Sequence, residues 1–203
     1  MCTTSGLPPS KARTLRHDEN VTVSVKTKAA RIQLLLFDVD GVLTDGRVGL
    51  HADGTESRQF HIRDGAAIVW AHRAGLLTGV ISARTSVATT IRAQQLEMPI
   101  VVQGIATKLD AYERILADHG LTDAEVAYMG DDLLDLPVLV RVGLSAAPSD
   151  ATTDVRQRVD WVSTVRGGEG AARDLIELVL RARELWPPVT ELPADTVSKP
   201  FHG

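Results

Sequence analysis

The feature that most constrains the fold is a short apolar segment, residues 32–37, that ends at Asp38 and Asp40. Only Gln33 interrupts it, and such a segment is typical of a strand buried on both faces of a parallel sheet. The two carboxylates then lie at the carboxyl end of that strand, where open α/β sheets bind ligands. Because acids so close repel one another, we expect a cation there, and an all-oxygen ligand set suits Mg²⁺. The alternative is an ordinary Asp-Gly turn after a strand.

Composition excludes several classes of protein. The chain has 203 residues, of which 44% are hydrophobic and 24% charged, as expected for one globular domain. A formal net charge of −4 gives no reason to expect binding to nucleic acid or to a membrane surface. Cys2 is the only cysteine, which excludes internal disulfides and cysteine-based zinc sites. No apolar segment has membrane-spanning length and no secretory signal follows Met1, so we expect a cytoplasmic protein.

The ends of the chain differ in composition from the middle. Residues 1–30 combine Pro8 and Pro9 with scattered basic residues and many Ser and Thr, which predicts a disordered or loosely docked arm. A weak organelle-targeting segment is the alternative for this basic stretch. Residues 187–203, rich in Pro and Thr, are predicted to be a tail. The folded domain is therefore expected to span residues 31–186.

Between these ends, apolar strands and amphipathic helices alternate. Residues 47–51 and 56–62 alternate in polarity on either side of an Asp-Gly turn, which predicts a hairpin that could be a flap or a subunit contact. A helix follows from Asp64 to Gly75. The later strands are predicted at 76–81, 100–102, 126–129, 144–147 and 160–163, and the later helices at 86–96, 109–119 and 170–186. This alternation favours a Rossmann-like α/β fold, a parallel sheet with helices on both faces.

Further polar residues stand where the predicted strands end. Ser82 follows one strand and Lys108 opens the helix after the next, while Asp131, Asp132 and Asp135 follow a third. Each has an ordinary explanation, as a helix cap, a surface lysine or an acidic first turn. Together at one sheet edge, however, they supply the carboxylates, hydroxyl and ammonium needed to hold a phosphate against a divalent cation.

These segments resemble the four ordered motifs of the haloacid dehalogenase-like (HAD) phosphatases. The matching segments are residues 38–44, Ser82, Lys108 and 130–135. A closer resemblance is to the branch that hydrolyses 3-deoxy-D-manno-octulosonate 8-phosphate. It rests on residues 41–46, 60–65, 84–86 and 167–173, and the similarity extends from about Leu34 to Leu180.

The resemblance and the residue chemistry imply one mechanism. Asp38 would attack phosphorus to form an aspartyl-phosphate, and Asp40 would serve as general acid and then general base. Mg²⁺ would be held by Asp38, the Asp40 carbonyl and Asp131. Lys108 would add positive charge and Ser82 would complete the phosphate cradle. Either Asp132 or Asp135 would ligate through water or orient Lys108, and the sequence leaves that choice open.

Recognition of the sugar acid is assigned by resemblance alone. The residues implied are Arg58, Arg63 and Arg84, with Gly168, Gly170 and Arg173 shaping a substrate-facing loop or simply starting the last helix. Arginine forks suit carboxylates, although each arginine could equally form a surface ion pair. The sequence departs from the family's usual residues at three positions. Arg58 stands where the family usually has lysine, and Ala83, which follows Ser82 in the second motif, stands where it has glycine. Ala67, near the start of the next helix, also replaces a common glycine.

The spacing between motifs leaves no room for a separate cap domain. Residues 45–82 accommodate only the hairpin and one helix, and residues 108–131 only a helix and a strand. A bare site is open to water, and similar family members form tetramers whose hairpins meet and close the site. The resemblance therefore implies a homotetramer acting on a small phosphorylated sugar acid.

Other functions remain open at this stage. A related nine-carbon acid, 2-keto-3-deoxy-nononate 9-phosphate, would require the same chemistry. A non-catalytic binding module of the same fold would be favoured by loss of Asp38 or Asp40, but both are present. A phosphosugar mutase would need a cap to exclude water, and the spacing provides none. If the phosphatase assignment holds, the product would feed surface-polysaccharide synthesis, including that of lipopolysaccharide.

Overall fold

A six-stranded parallel sheet organises the computed structural model, which describes residues 23–186. Its strands are β1 (Leu34–Phe37), β4 (Leu77–Ser82), β5 (Ile100–Gln103), β6 (Val126–Met129), β7 (Leu144–Ala147) and β8 (Trp161–Val162). They lie in the order β5-β4-β1-β6-β7-β8, so the motif-bearing β1 is central between β4 and β6. A separate antiparallel hairpin pairs β2 (Gly49–Leu50) with β3 (Glu56–Ser57). The predicted α/β fold is confirmed.

Helices cover both faces of the sheet. They are α1 (residues 23–29), α2 (Ile62–Arg73), α3 (Val87–Gln95), α4 (Lys108–His119), α5 (Leu136–Leu139), α6 (Thr153–Arg156) and α7 (Ala171–Ala182). Successive residues of β1 point to opposite faces, so Leu35 and Phe37 join one hydrophobic core while Leu34 and Leu36 join the other. All four are fully buried. Burial on both faces explains why the β1 segment is apolar without alternation.

The connection from β1 to the hairpin carries the first motif. After Asp38 the chain makes a widened helical turn over Val39–Leu43, interrupted by Asp40 and by Gly41, which has φ of 98°. The hairpin follows, with strands shorter than the predicted segments. Between residues 45 and 82 the structure contains only this hairpin, α2 and β4. Within residues 23–186, the motif spacing therefore correctly predicted that no cap domain is inserted there.

Two boundaries differ from the sequence prediction. Residues 23–29 are helical, with Val25 and Ala29 buried in the core, so the folded domain begins before residue 31. The rest of the predicted arm (1–22) and the predicted tail (187–203) lie outside the described residues. The last helix ends at Ala182, because Glu184 adopts φ of 59° and the Leu185 N–H donates to the Leu180 carbonyl. Within residues 23–186, no helix is long and apolar enough to cross a membrane.

Candidate active site

The carboxyl edge of the sheet brings the predicted catalytic residues together. Asp38 follows β1, Ser82 is the last residue of β4, and Asp131 lies two residues beyond the end of β6. Lys108 is the first residue of α4, which follows β5. Because these strands are parallel neighbours, their ends meet at one place.

We call five residues at this edge the inner cluster: Asp38, Lys108, Tyr128, Asp131 and Asp135. The Lys108 side chain is only 4% exposed, and its Nζ lies 2.8 Å from Asp38 Oδ1 and 2.6 Å from Asp135 Oδ1. The Asp38 Oδ1 atom also accepts a hydrogen bond of 2.7 Å from the Val39 N–H. The predicted nucleophile is thus held by a buried ammonium and by its own helical turn.

Asp135, rather than Asp132, contacts Lys108. Besides contacting Lys108, Asp135 accepts a hydrogen bond from the Tyr128 hydroxyl, and its Oδ2 accepts from the Asp131 and Asp132 N–H groups at 3.0 and 3.2 Å. Asp132 is exposed and caps the following turn, accepting from the Leu133 N–H at 2.8 Å. Tyr128, whose hydroxyl is 3.3 Å from Lys108 Nζ, carried no signal in the sequence because it lies inside an apolar strand.

Burial and mutual repulsion raise the pKa values of the inner carboxyl groups. For Asp38, burial and then the charge of Asp135 raise the pKa to about 6, although Lys108 opposes them. For Asp131, burial and the charges of Asp38 and Asp135 raise the pKa to about 8. Burial alone would lower the pKa of Lys108, but the two neighbouring carboxylates outweigh it and the pKa is raised.

The inner cluster fits a divalent cation. Carboxylate oxygens of Asp38, Asp131 and Asp135 lie within 4.8 Å of one another, and Asp131 Oδ1 is buried with no hydrogen-bond partner among the described residues. Both oxygens of Asp135 are engaged, Oδ1 by Lys108 and Tyr128 and Oδ2 by two backbone N–H groups. The contacts of Asp38 to Lys108 and Val39 involve only its Oδ1, so Asp38 and Asp131 are the carboxylates available as ligands. A Cβ at Gly41 would lie 2.1 Å from Asp131 Oδ2, so glycine is required for the approach of Asp131. Hard oxygen ligands of this kind suit Mg²⁺.

A second group, which we call the outer cluster, consists of Asp40, Glu56, Arg58 and Arg84. Arg58 Nε lies 2.7 Å from Asp40 Oδ1. Its Nη2 lies 3.4 Å from Asp40 Oδ2, and its Nη1 lies 3.1 Å from Glu56 Oε2. Arg84 is 3.0 Å from Glu56 and 3.8 Å from Asp40. The hydrogen bond to Asp40 raises the pKa of Arg58, although burial opposes it. Glu56, which sequence reasoning missed, therefore links two of the predicted substrate-binding arginines.

Ser82 lies between the two clusters at the end of β4. It is buried, and its Oγ accepts a hydrogen bond of 3.3 Å from the Arg84 N–H. Its role as acceptor in that bond leaves the hydroxyl hydrogen to be donated to a ligand. This position is consistent with the phosphate-cradle role predicted for Ser82.

Three of the remaining predicted binding residues, Arg63, Gly170 and Arg173, are not brought to this edge by contacts within one chain. Arg63 is exposed on the first turn of α2. The Arg173 guanidinium contacts Glu177 at 2.7 Å and stacks 4.9 Å from the Trp70 ring centre. Gly170 has φ of 118° and forms the N-cap of α7. Within one chain, Arg173 thus packs α7 against α2, and Gly170 begins α7, so each has a structural role there.

Gly168 packs against the widened helical turn that follows Asp38, which we call the nucleophile turn (Val39–Leu43). Its N–H donates to the Val42 carbonyl at 2.9 Å, and a Cβ there would lie 2.4 Å from the Asp45 nitrogen. A Cβ at the preceding Gly167 would lie 1.8 Å from the Gly41 carbonyl oxygen. The loop before α7 therefore packs directly on the backbone that carries Asp38 and Asp40, and only glycines allow that approach.

Comparison with known proteins agrees with this geometry. A family model for haloacid dehalogenase-like hydrolases matches residues 79–175. The 3-deoxy-D-manno-octulosonate 8-phosphate phosphatase of Salmonella typhi is 38% identical over 163 residues, which cover 80% of this chain and 87% of that protein.

Solved structures give the same result. The crystal structure of the Yersinia pestis phosphatase of that name superposes with a TM-score of 0.79 at 37% identity, over 79% of this chain and 87% of that one. The Moraxella catarrhalis phosphatase, solved with magnesium, phosphate and the sugar acid, superposes with a TM-score of 0.78 at 32% identity, over 79% and 92% of the two chains. The chain therefore belongs to the haloacid dehalogenase-like hydrolases, in the family of the 3-deoxy-D-manno-octulosonate 8-phosphate phosphatases.

Proposed function

We propose that this protein is a Mg²⁺-dependent phosphatase that hydrolyses 3-deoxy-D-manno-octulosonate 8-phosphate to the free sugar acid and phosphate. The main support for this proposal is that Asp38 and Asp40, although only two residues apart, lie in different electrostatic environments. Asp38 lies against a buried lysine and beside Asp131, whose Oδ1 has no hydrogen-bond partner among the described residues, while Asp40 lies among arginines. One carboxylate is thus suited to nucleophilic attack and the other to proton transfer.

In the first step, an Asp38 carboxylate oxygen attacks phosphorus and the bond from phosphorus to the sugar oxygen breaks. Asp40 gives its proton to the departing alkoxide, leaving an aspartyl-phosphate on Asp38. In the second step, Asp40 takes a proton from water, which attacks phosphorus and releases phosphate, so that both carboxylates return to their starting state. Lys108 offsets negative charge at Asp38 throughout, and Ser82 donates to a phosphoryl oxygen.

Mg²⁺ would be held by Asp38, Asp131 and the backbone carbonyl of Asp40. When bound, the ion neutralises charge on the phosphoryl group and lowers the repulsion between that group and the attacking carboxylate. The relative crystallised with magnesium supports this choice of metal. Asp131 Oδ1, which finds no hydrogen-bond partner within residues 23–186, independently supports a cation at this site.

We further propose that the active form is a homotetramer. Exposed apolar side chains lie on the hairpin and on the outer surfaces of α2 and α3: Leu50, Ile62, Val87 and Ile91. Such side chains are suited to contact with other subunits. Arg63, exposed beside Ile62, would then meet substrate bound in a neighbouring subunit. Light scattering should give a tetramer, and a fully active monomer would contradict this assembly.

The substrate assignment leads to a cellular role. We propose that the enzyme works in the cytoplasm and that its product enters lipopolysaccharide synthesis. The family membership and the sugar acid named for the relatives support this role. The related nine-carbon acid phosphate is the second candidate substrate, because the same catalytic residues would serve it.

Phosphate release by the purified protein from the eight-carbon and nine-carbon acid phosphates tests the proposal. Assays should contain Mg²⁺ or EDTA, and Asp38→Asn serves as the inactive control. Preference for the eight-carbon acid, lost in EDTA and in the variant, is the expected result. Preference for the nine-carbon acid would retain the mechanism and change the substrate. No Asp38-dependent release from either would refute the assignment.

A further inference from the structure

The Arg58 side chain is fully enclosed, although Arg58 follows directly after the exposed hairpin strand β3. Its exposed fraction is 0%, and its guanidinium contacts three different side chains. A residue that binds the carboxylate of an incoming sugar acid needs an accessible guanidinium. We propose instead that Arg58 is a positioning residue, which holds the Asp40 carboxylate for proton transfer to the leaving group. This inference rests on the proposed function, in which Asp40 is the general acid and base.

The contacts between Arg58 and Asp40 orient the carboxylate. Arg58 Nε lies 2.7 Å from Asp40 Oδ1, and a terminal nitrogen lies 3.4 Å from Oδ2. Two contacts from a planar fork fix both the position and the plane of a carboxylate, which a single ammonium cannot do. Because Oδ1 is held tightly and Oδ2 only weakly, Oδ2 is the oxygen that can carry the transferred proton.

The guanidinium is itself anchored to the core of the domain. Its other terminal nitrogen lies 2.8 Å from Ser86 Oγ and 3.1 Å from Glu56 Oε2. Ser86 is the N-cap of α3, and its backbone N–H donates to Gln103 at the end of β5 at 2.9 Å. Asp40 is therefore connected through Arg58 to the main sheet as well as to the hairpin.

Arg84 differs from Arg58 in its accessibility. Its side chain is 54% exposed and its nearest recorded carboxylate is Glu56, at 3.0 Å. A sugar carboxylate could replace Glu56 at Arg84 without breaking the contacts that hold Asp40. Within one chain, Arg84 is thus the arginine suited to substrate, and Arg58 is the arginine suited to positioning.

The dependence of rate on the leaving group separates these two roles. A poor leaving group requires a proton as its bond to phosphorus breaks, whereas a good leaving group departs as a stable anion. Loss of a residue that positions the general acid should therefore slow poor leaving groups selectively. Loss of a residue that binds the sugar carboxylate should raise KM for the sugar acid and leave simple aryl phosphates unaffected.

The experiment compares wild type, Arg58→Met and Arg58→Lys on phenyl phosphate, p-nitrophenyl phosphate and the eight-carbon acid phosphate, with Mg²⁺ present. Neither aryl phosphate carries a carboxylate. Arg141→Met is the matched control, because Arg141 pairs with Glu113 and with Asp123, a residue that precedes β6 at the opposite edge of the sheet. The Arg58→Met change is also made in the Asp40→Asn background, where a residue acting through Asp40 should matter little.

We expect kcat/KM of Arg58→Met to fall about 30-fold for phenyl phosphate and less than about 5-fold for p-nitrophenyl phosphate. For the sugar acid, kcat should fall while KM changes less than about 2-fold. Arg58→Lys should recover part of the lost activity, and Arg141→Met should match wild type. In the Asp40→Asn background, the Arg58→Met change should lower kcat/KM only slightly.

Other results would overturn the proposal. Equal losses on both aryl phosphates with unchanged kcat and raised KM for the sugar acid would make Arg58 a substrate-binding residue. Equal losses on all three substrates in both backgrounds would make it a structural residue only. A wild-type protein without Asp38-dependent phosphatase activity would refute the proposed function itself, which is recognisable before any Arg58 variant is measured.

Discussion

The inner and outer clusters are built in different ways, and we propose different tasks for them. The inner cluster lies at the ends of central strands, with Lys108 and Asp135 almost fully buried. The outer cluster joins the nucleophile turn to a hairpin whose strands are two residues long, and Arg84 within it is half exposed. In the proposed mechanism, the sheet edge provides charges for the phosphoryl group, and the small accessory hairpin provides groups that handle the leaving sugar.

This difference predicts how variants should behave. In the proposed mechanism, inner residues act on the phosphoryl group, which every substrate shares, so their loss should slow all substrates. Outer residues would act on the leaving group or its carboxylate, so their loss should change one substrate more than another.

Lys108→Met should lower kcat/KM by about 1,000-fold on both the sugar acid phosphate and p-nitrophenyl phosphate, because a buried positive charge near the phosphoryl group is lost. The variant also leaves Asp38 and Asp135 without the ammonium that lies between them. Steady-state kinetics on both substrates measure the effect. Lys28→Met, which removes a lysine paired with Asp160, is the control and should match wild type. A loss confined to the sugar acid would show that Lys108 acts on the leaving sugar, as proposed for the outer cluster, and not on the phosphoryl group.

Asp131→Asn should change how stability depends on pH and Mg²⁺. Without metal, burial and the neighbouring carboxylates raise the pKa of Asp131 to about 8, from an ordinary value of about 4. The folded state therefore favours the protonated form of Asp131 more than the unfolded state does. Stability should therefore fall as pH rises between these values, and Mg²⁺ should restore it by binding the ionised form. Asparagine cannot ionise and should remove most of both effects.

Thermal unfolding in EDTA at pH 5 and pH 8, and at pH 8 with Mg²⁺, measures these changes for Asp131→Asn. Wild type should lose roughly 2–6 °C in Tm from pH 5 to pH 8 and regain it with Mg²⁺. Asp132→Asn, at the neighbouring exposed capping residue, is the control and should behave as wild type. An Asp131 variant that responds to Mg²⁺ as wild type does would exclude Asp131 as a ligand.

Tyr128→Phe should lower kcat about 10-fold, since Asp135 loses one of the groups that hold it beside Lys108. It should also cost about 1 kcal/mol in the free energy of unfolding. Tyr112→Phe is a matched control, because that hydroxyl donates to Asp123 at 2.7 Å, away from the carboxyl edge. Equal kcat values for the two tyrosine variants would show that Tyr128 contributes to stability alone.

Arg84→Met should raise KM for the sugar acid phosphate about 5-fold with little change in kcat, because its exposed guanidinium is suited to the substrate carboxylate. On p-nitrophenyl phosphate, which has no carboxylate, KM should not change. Initial rates over a range of each substrate measure both constants. A matching rise in KM for p-nitrophenyl phosphate would assign Arg84 to phosphate binding and weaken the distinction between the clusters.

The sequence predicted the inner cluster better than the outer one, for a physical reason. Asp38, Lys108 and Asp131 of the inner cluster, and Ser82 beside it, could be located because strand ends are visible as apolar segments and parallel strands bring those ends together. The choice between Asp132 and Asp135 depended on which side chain turns inward, and local sequence does not encode that. Tyr128 was missed because a polar hydroxyl inside an apolar strand looks like part of the core.

The outer cluster depends on side-chain contacts between segments far apart in the chain. The hairpin was predicted from alternation and an Asp-Gly turn, and it is confirmed. Glu56 was not identified from the sequence as a site residue. Substrate binding by Arg58, which the resemblance implies, stays a prediction, and the contacts of its enclosed side chain with Asp40 and Ser86 support the positioning role that we propose instead. Residues 23–29 were assigned to the arm because so short a helix carries too few apolar residues to show periodicity, although two of them reach the core.

The central claim is that Asp38 becomes phosphorylated during turnover, and rapid acid quenching tests it most directly. Protein mixed with substrate and Mg²⁺ is quenched within milliseconds, digested at low pH and examined by mass spectrometry for a phosphorylated aspartate. We predict phosphate on the peptide that contains Asp38, absent in EDTA and in Asp38→Asn. Phosphate on Ser82 or Asp40, or turnover with no phosphorylated Asp38 at any quench time, would contradict the mechanism.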